Sequence, residues 1–313
     1  MAVTRRPSTD DAAAGKAPAA PSRLAVRKTY KLYLGGEFPR SESGRSYIVR
    51  TPDGTPLANA VRGSRKDVRD AVRIARGAFA GWSGKTAMNR GQVLYRAAEV
   101  MEGRREQFEA EVADAEGLTP AAAREQVDRS IDRWVWYAGW ADKITQVLGT
   151  VNPVAASYFD FTIPEPTGVV GVVAPESSSM LGLVSRLAPV VVSGNTCVVL
   201  ASESRPLPAV TLAEVLATSD VPGGVINLIS GSRRELVPWL ASHMDVNALD
   251  TWGVPLEMRA ATEEASVENV KRLSRPPRGD PERFDWLDDR RAQRLEWIAA
   301  FLEMKTVWHP IGV

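Results

Sequence analysis

The stretch GVVGVVAP at residues 168–175 is followed by MLGLVSRLAPVVVSGN at 180–195 and by TCVVLAS at 196–202. The first and third runs are short, rich in β-branched residues and bounded by Gly or Pro, as buried strands are. The alternation continues through LPAVTLAEVLATSD (207–220), GVINLIS (224–230), SRRELVPWLASHM (232–244) and VNALDTW (246–252). Continuous apolar strands that alternate with helices predict a parallel sheet covered on both faces. The predicted fold class is therefore α/β, with a doubly wound, Rossmann-like sheet.

Strands and then helices are predicted upstream of this sheet. The runs KLYLGGEF (31–38) and GRSYIVRTPDG (44–54) predict two short strands with glycine-containing turns. Ser64 and Asp67 have the spacing of a capping box, and the apolar residues behind them recur at helical intervals. A second helix is predicted from about 89 to 116, ending at Gly117, and a third begins at Thr119-Pro120.

The remaining segments predict smaller elements around the sheet. Residues 150–166 alternate apolar and polar side chains, which fits an exposed hairpin. A helix is predicted from about Leu256 to Leu273, and later a helix at 288–304 and a strand at 305–312. The expected divisions are a disordered tail (1–29), N-terminal strands and helices of a cofactor-type domain (30–149), the hairpin (150–166), the Rossmann-like half (167–274), a linker (275–285) and a C-terminal helix and strand (286–313).

Composition and charge argue against several classes of protein. Lys plus Arg number 39 and Asp plus Glu 38, a balance unlike that of a general nucleic-acid binder. One cysteine excludes an internal disulfide, and with two histidines it leaves too few ligands for a thiolate or imidazole metal site. No apolar run reaches the ~18 residues of a membrane helix, and no secretory signal follows the start. We expect a cytoplasmic protein that binds neither nucleic acid, metal nor membrane.

Segments spread over most of the chain resemble the aldehyde dehydrogenase superfamily. In the family's order they are LYLGGEF (32–38), SESGRSYIVRTPDG (41–54), AVRIARGAFAGW (71–82), RGQVLYRAAEVME (90–102), WYAGWADKI (136–144), EPTGVVGVVAP (165–175), RLAPVVVSGNTCVVLAS (186–202), DVPGGVINLISG (220–231) and LEMKTVWHP (302–310). The resemblance implies an NAD(P)-binding domain, a catalytic domain with a cysteine nucleophile, and an oligomerisation hairpin with a C-terminal strand.

The catalytic domain that the resemblance implies has no room in this chain. Only about fifty residues separate Gly253 from the LEMKTVWHP segment. A domain of ordinary size takes ~100–200 residues. We therefore expect a shortened family member that keeps the cofactor-type half and the oligomerisation elements and lacks most of the catalytic domain.

No residue is assigned a catalytic role. Cys197 lies inside a predicted strand with no positive charge or helix N-terminus beside it, so we expect a small buried structural residue. The resemblance places Ser177 where the family has its oxyanion asparagine, and a hydroxyl offers a shorter, differently placed donor. Neither His243 nor His309 has a Ser or Cys partner in the sequence pattern, and His243 is expected to be an imidazolium at a helix end.

The resemblance also supplies candidates for cofactor contacts. Matching the family's motifs position by position gives Pro175, Ser202, Glu203, Gly231 and Gly253. Ala201 stands where the family has a lysine for the adenosine ribose, so Ser202 or Glu203 would have to make that contact. A helix N-terminus follows Gly231 and favours an anion, and Arg233 and Arg234 on it are expected to be solvated. The cofactor is NAD or NADP, or none is bound.

Three functions remain open from the sequence. The first is a non-catalytic subunit, a pseudo-enzyme that associates with an active, full-length aldehyde dehydrogenase in a homo- or hetero-oligomer. The second is an NAD(P)-dependent aldehyde oxidoreductase with divergent site residues. The third is a nucleotide-binding sensor or scaffold without turnover. The first is preferred because the nucleophilic machinery is missing and the oligomerisation elements are present.

Overall fold

The computed structural model describes residues 26–312, so most of the tail predicted at 1–29 lies outside the described residues. Within this range the strands are β1 (Thr29–Tyr30), β2 (Ser46–Arg50), β3 (Pro56–Val61), β4 (Thr150–Asn152), β5 (Tyr158–Pro166), β6 (Val169–Val173), β7 (Thr196–Leu200), β8 (Ile226–Ile229), β9 (Ala248–Asp250), β10 (Arg272–Ser274) and β11 (Leu302–Pro310). The α-helices are α1 (Arg65–Ser83), α2 (Ala87–Glu102), α3 (Arg105–Glu116), α4 (Pro120–Ala138), α5 (Ile144–Leu148), α6 (Leu181–Val192), α7 (Leu207–Leu216), α8 (Arg233–Ser242), α9 (Arg259–Ala265), α10 (Asp289–Ala292) and α11 (Leu295–Ala299).

The predicted doubly wound sheet is confirmed. Five parallel strands follow the order β10-β9-β6-β7-β8. Alternate residues of β6 face opposite sides, because Val170 and Val172 pack into one buried cluster and Val169 and Val173 into another. Helix α6 contributes to the first cluster, and α1 and α8 contribute to the second. Both faces are therefore covered, which explains why the strands are apolar throughout.

The N-terminal helices follow their capping signals. The Ser64 side chain accepts the Asp67 amide, and the Asp67 carboxylate accepts the Ser64 amide, so α1 begins at the predicted capping box. The single helix predicted over 89–116 is wrong, because α2 ends at Glu102 with Gly103 as its C-cap, and α3 begins at Arg105. Glycine has a low helix propensity and permits the break. Gly117, with φ of 68°, then ends α3 in the left-handed conformation, as predicted.

Of the two strands predicted near the N-terminus, the one at 44–54 is confirmed as β2, and the one at 31–38 differs from the structure. Residues 31–38 form no named strand, and within them Tyr33 makes an isolated bridge to Leu228 at the end of the parallel sheet. The unpredicted β3 instead lies between β1 and β2. Since β3 has a partner on each side, its pairing depends on contacts that the local pattern does not specify.

The helix predicted from Leu256 to Leu273 is also wrong. One turn of 3-10 helix at Leu256–Met258 leads into the short α9, and Leu273 lies in β10, the fifth strand of the parallel sheet. Val270 has φ of 56°, which is incompatible with a continuing right-handed helix. Likewise, the helix predicted at 288–304 is two short helices, α10 and α11, and the terminal strand begins earlier, at Leu302.

The predicted hairpin is present and belongs to a three-stranded antiparallel sheet of order β11-β5-β4, here called the edge sheet. Val151, Phe161 and Val307 stand opposite one another across its three strands, so their side chains share one face. Among residues 26–312, no helix combines the length and the apolarity needed to cross a membrane.

Candidate functional site

The candidate site is a cavity of about 860 Å³ beyond the carboxyl ends of the parallel strands, here called the crevice. Open parallel sheets bind ligands at this edge. Its charged lining residues are Glu176, Glu203, Asp280, Glu282, Arg233 and Arg259. Residues 279–282 belong to the segment predicted as a linker, and they line the crevice together with the turn after β9.

Arg233, the first residue of α8, reaches across the crevice. Its guanidinium donates to the carbonyl oxygens of Gly253, at 2.8 Å, and Ala174, at 2.6 Å. It also lies 2.7 Å from Glu176 Oε2. The Arg233 residue is only 5% exposed, so the prediction that it is solvated is wrong. Its guanidinium bonds to the loops after β6 and β9, a proximity that sequence spacing does not reveal. The neighbouring Arg234 is exposed, as predicted.

Two carboxylates complete this network around Arg233. Glu203 Oε2 accepts the backbone N–H of Arg233 at 2.8 Å and so occupies an amide at the N-terminus of α8. Glu176 accepts the backbone N–H groups of Glu203, at 2.9 Å, and Ser204, at 2.8 Å. Burial opposes ionisation of Glu176, but Arg233 and these hydrogen bonds outweigh it, so the pKa of Glu176 lies below its ordinary value. Arg233, Glu176 and Glu203 are called the Arg233 network below.

The hydroxyl and proline candidates lie behind the crevice lining rather than in it. The Ser177 Oγ atom is buried and has no hydrogen-bond partner among the described residues, while the Ser177 carbonyl accepts from Arg205 at 3.0 Å. Ser202 is buried, and its Oγ accepts the Arg205 N–H at 3.1 Å. Pro175 packs against Gly182 in the first turn of α6. These three residues support the loops that carry Glu176 and Glu203.

At both candidate glycines, Gly253 and Gly231, another backbone segment lies too close to leave room for a Cβ atom. A Cβ atom on Gly253 would lie 1.9 Å from the Ala174 carbonyl oxygen, so only glycine fits between the turn after β9 and the end of β6. A Cβ on Gly231 would lie 2.9 Å from the Gly63 nitrogen. Gly63 itself donates to the Ser230 carbonyl at 2.8 Å. Gly253 thus lines the crevice, whereas the Cβ position of Gly231 faces the loop before α1.

Cys197 is buried in the middle of the parallel sheet. It pairs with Val170 on β6 and Ile226 on β8, and its exposed fraction is 0%. Burial raises the pKa of its thiol far above the usual range, so no thiolate forms near neutral pH. The structure therefore places the chain's single thiol where neither a substrate nor a solvent molecule reaches it.

The two histidines lie away from the crevice lining. His243 follows the last residue of α8, and its Nδ1 accepts the Asp245 N–H at 3.2 Å. Its predicted place at a helix end is confirmed, and burial lowers its pKa below 6.5, which disfavours the imidazolium there. His309 stands opposite Phe159 in the edge sheet. No group of three or more His, Cys, Asp or Glu side chains in residues 26–312 is arranged to hold a metal ion.

An aromatic cluster beside the crevice fastens the segment between β9 and β11 to the sheet. The rings of Trp286 and Trp297 lie 4.8 and 5.5 Å from that of Trp252. Arg186 of α6 sits over two of these rings and forms a fully buried ion pair with Asp250, at 2.7 Å. Sequence reasoning missed this cluster. The nine tryptophans of a 313-residue chain were the available signal.

Arg133 of α4 makes a second attachment. It is fully buried and donates to Ser185 Oγ at 2.6 Å and to the carbonyls of Ala292, at 2.8 Å, and Trp286, at 3.2 Å. It also pairs with Asp289 at 3.0 Å. Arg133 thus attaches residues 286–292 to α4 and α6.

The residues present do not fit the diphosphate of a dinucleotide. In Rossmann-like folds the diphosphate binds free amides at a helix N-terminus beside a glycine-rich turn. Here Glu203 already accepts the Arg233 amide, and Gly231 packs against Gly63. The terminal nitrogens of Arg233 donate to two carbonyls and pair with Glu176, while its Nε has no partner among the described residues.

Fold and sequence together define an aldehyde dehydrogenase-type, Rossmann-like protein. The sequence model described as "Aldehyde dehydrogenase family" matches residues 38–275, which is most of the chain. The chain therefore belongs to the aldehyde dehydrogenase family.

Individual relatives extend this finding. The chain is 32% identical over 245 residues to an aldehyde dehydrogenase of Emericella nidulans, covering 78% of this chain and 49% of that protein. It is 30% identical over 257 residues to cytosolic 10-formyltetrahydrofolate dehydrogenase of Mus musculus, covering 80% of this chain and 28% of that protein. The crystal structure of HpcC from Thermus thermophilus superimposes with a TM-score of 0.74 and 29% identity, covering 79% of this chain and 48% of that chain. The chain thus spans half or less of the length of these proteins, as expected of a shortened member.

Proposed function

We propose that this chain is a non-catalytic subunit that associates with an active, full-length aldehyde dehydrogenase. The observation that carries the proposal is the burial of Cys197, the chain's only cysteine, at 0% exposure inside β7. Aldehyde oxidation through a covalent thiol intermediate needs an accessible thiolate. The oxidoreductase alternative from the sequence therefore has no support in the described residues.

The edge sheet supports the association half of the proposal. Among the described strands, β11 pairs only with β5 along its nine residues, so its second edge carries unpaired backbone donors and acceptors. Val151 is 68% exposed and Phe159 45% exposed on the face that also carries Phe161 and Val307. An exposed edge beside an apolar face suits pairing with a strand of another subunit. The family resemblance makes a full-length aldehyde dehydrogenase that subunit, and one cysteine suits the reducing cytoplasm.

A first experiment tests the absence of activity. The purified chain is assayed alone with NAD⁺ or NADP⁺ and a panel of aldehydes, and we expect no formation of NADH or NADPH. Thiol labelling of the same sample should modify Cys197 only after unfolding in urea. Aldehyde-dependent NADH formation that is abolished by Cys197→Ala would refute the proposal.

A second experiment tests the association. The chain is co-expressed with a tagged full-length aldehyde dehydrogenase from the same organism, and we expect both to co-purify at a fixed ratio. Val151→Glu places a charge on the apolar face and should abolish co-purification. Val267→Glu is the matched control, because Val267 is 72% exposed but lies outside the edge sheet. A chain that elutes as a monomer and ignores the partner contradicts the proposal, as does equal loss with both variants.

A further inference from the structure

We infer that the Arg233 network closes the crevice to dinucleotides, so that this chain has the Rossmann-like fold without its cofactor. The inference is independent of the proposed association, because none of the three residues lies in the edge sheet. It rests on three observations: the occupied amide, the committed guanidinium and the charge of the lining.

The first observation is that an internal carboxylate holds the anion position at the start of α8. Glu203 Oε2 lies 2.8 Å from the Arg233 backbone nitrogen. A carboxylate there is favoured by the partial positive charge of the helix N-terminus, as a phosphate would be. Because Glu203 is tethered, its effective concentration is high, and a free diphosphate competes poorly with it. A diphosphate that displaced it would also have a free carboxylate beside it.

The second observation is that the Arg233 guanidinium cannot turn to a ligand without loss. It donates to the carbonyls of Ala174 and Gly253, which belong to the loops after β6 and β9. These bonds join the ends of three strands across the place where a ligand would enter. A diphosphate that recruited Arg233 would leave carbonyl groups and Glu176 without their donor, which is costly for buried polar groups.

The third observation is the sign of the charge around the crevice. Carboxylates outnumber guanidinium groups in its lining by four to two. The field in a concave site is focused by its low-dielectric walls, so this excess of negative charge repels a doubly charged diphosphate. The occupied hydrogen-bond donors and the negative field of the lining therefore both disfavour diphosphate binding.

Calorimetric titration of the full chain tests the inference, with inorganic pyrophosphate, NAD⁺ and NADP⁺ as separate probes. The variants are Glu203→Gln, which keeps an amide acceptor and removes the charge, and the double variant Glu176→Gln/Glu203→Ala. Glu99→Ala removes an exposed acid on α2 and serves as the matched control. Thermal unfolding of each variant establishes that it is folded, and Glu203→Gln alone decides the result if the double variant is not.

For the wild type and Glu99→Ala we expect no saturable binding of any probe up to about 5 mM. The folded Glu176 and Glu203 variants should bind pyrophosphate at least about tenfold more tightly than the wild type, because each removes negative charge from the lining and the double variant also frees the helix amide from its internal acceptor. Saturable wild-type binding of NAD⁺ or NADP⁺ with a Kd below about 5 mM would overturn the inference. Failure of every folded variant to gain pyrophosphate binding would also overturn it, since another feature would then close the crevice.

Discussion

The crevice and the edge sheet of this chain differ in how their polar groups are satisfied. In the crevice, Arg233 bonds to Ala174, Gly253 and Glu176, and Glu203 bonds to the start of α8. In the edge sheet, β11 has a single partner among the described strands, and Val151 is largely exposed. The polar groups of the crevice bond to one another, whereas the edge sheet leaves backbone groups of β11 unpaired and apolar side chains exposed.

The difference bears on two properties, ligand binding in the crevice and association through the edge sheet. A site whose donors bond to its own acceptors is stable without a ligand, whereas an unpaired strand edge is stable only if another strand or solvent covers it. Beside the crevice, Trp286 and Trp297 from the segment between β9 and β11 pack against Trp252 at the end of the sheet. We therefore expect substitutions near the crevice to lower stability, and substitutions in the edge sheet to affect association.

The largest effect is expected at the buried pair beside the crevice. Arg186→Met leaves Asp250 buried without its partner at 2.7 Å, which should lower the free energy of unfolding by about 3–5 kcal/mol. The double variant Arg186→Met/Asp250→Leu should recover most of that loss, since no unpaired charge remains. Urea unfolding measures both. A single variant as stable as the wild type would show that the covering segment does not depend on this pair.

A second effect is expected where the backbone of the crevice is most crowded. Gly253→Ala introduces a Cβ 1.9 Å from the Ala174 carbonyl oxygen, so the turn after β9 must move. Overpacking of this kind costs about 1–3 kcal/mol. Gly77→Ala, within α1, is the control, because a Cβ atom at this position meets no atom within 4 Å. Unfolding curves in urea should show a loss only for Gly253→Ala, and equal curves for the two variants would argue against tight closure.

In the edge sheet, a large side chain should matter little to the isolated chain. Trp308 is 58% exposed and its ring lies 5.7 Å from that of Tyr158. Trp308→Ala should therefore lower stability by about 1 kcal/mol or less. A double-mutant cycle with Tyr158→Ala gives the coupling between the two rings. A loss comparable to that of Arg186→Met would mean that the edge sheet is part of the folding core.

The smallest effect is expected at the far end of α8. Burial lowers the pKa of His243 below 6.5, so the folded state binds fewer protons there than the unfolded state. Its contribution to stability is then present above pH 6.5 and declines as the pH falls through and below that value. His243→Gln should reduce the slope of stability against pH between about 5 and 6.5. Proton NMR titration, with His309→Gln for assignment, checks the pKa directly, and a value above 6.5 would contradict the prediction.

The sequence predicted well those elements whose signals are local. The capping box at Ser64 fixes the start of α1, and Gly117 ends α3, because each satisfies backbone groups only a few residues away. It failed at Leu273, which lies in β10 because β9 offers it an edge. It also failed at Arg233, whose partners Ala174 and Gly253 are 59 and 20 residues distant.

The sequence by itself determined the doubly wound parallel sheet, four of its five strands and the burial of the only thiol. Periodicity and composition carry that information, because each strand needs only its own apolar residues to enter the core. Only the tertiary structure decided that the polar groups of the crevice bond to one another. The carbonyls, carboxylates and guanidinium that do so come from separate loops, and hydrogen bonds form according to distance in space rather than position along the chain.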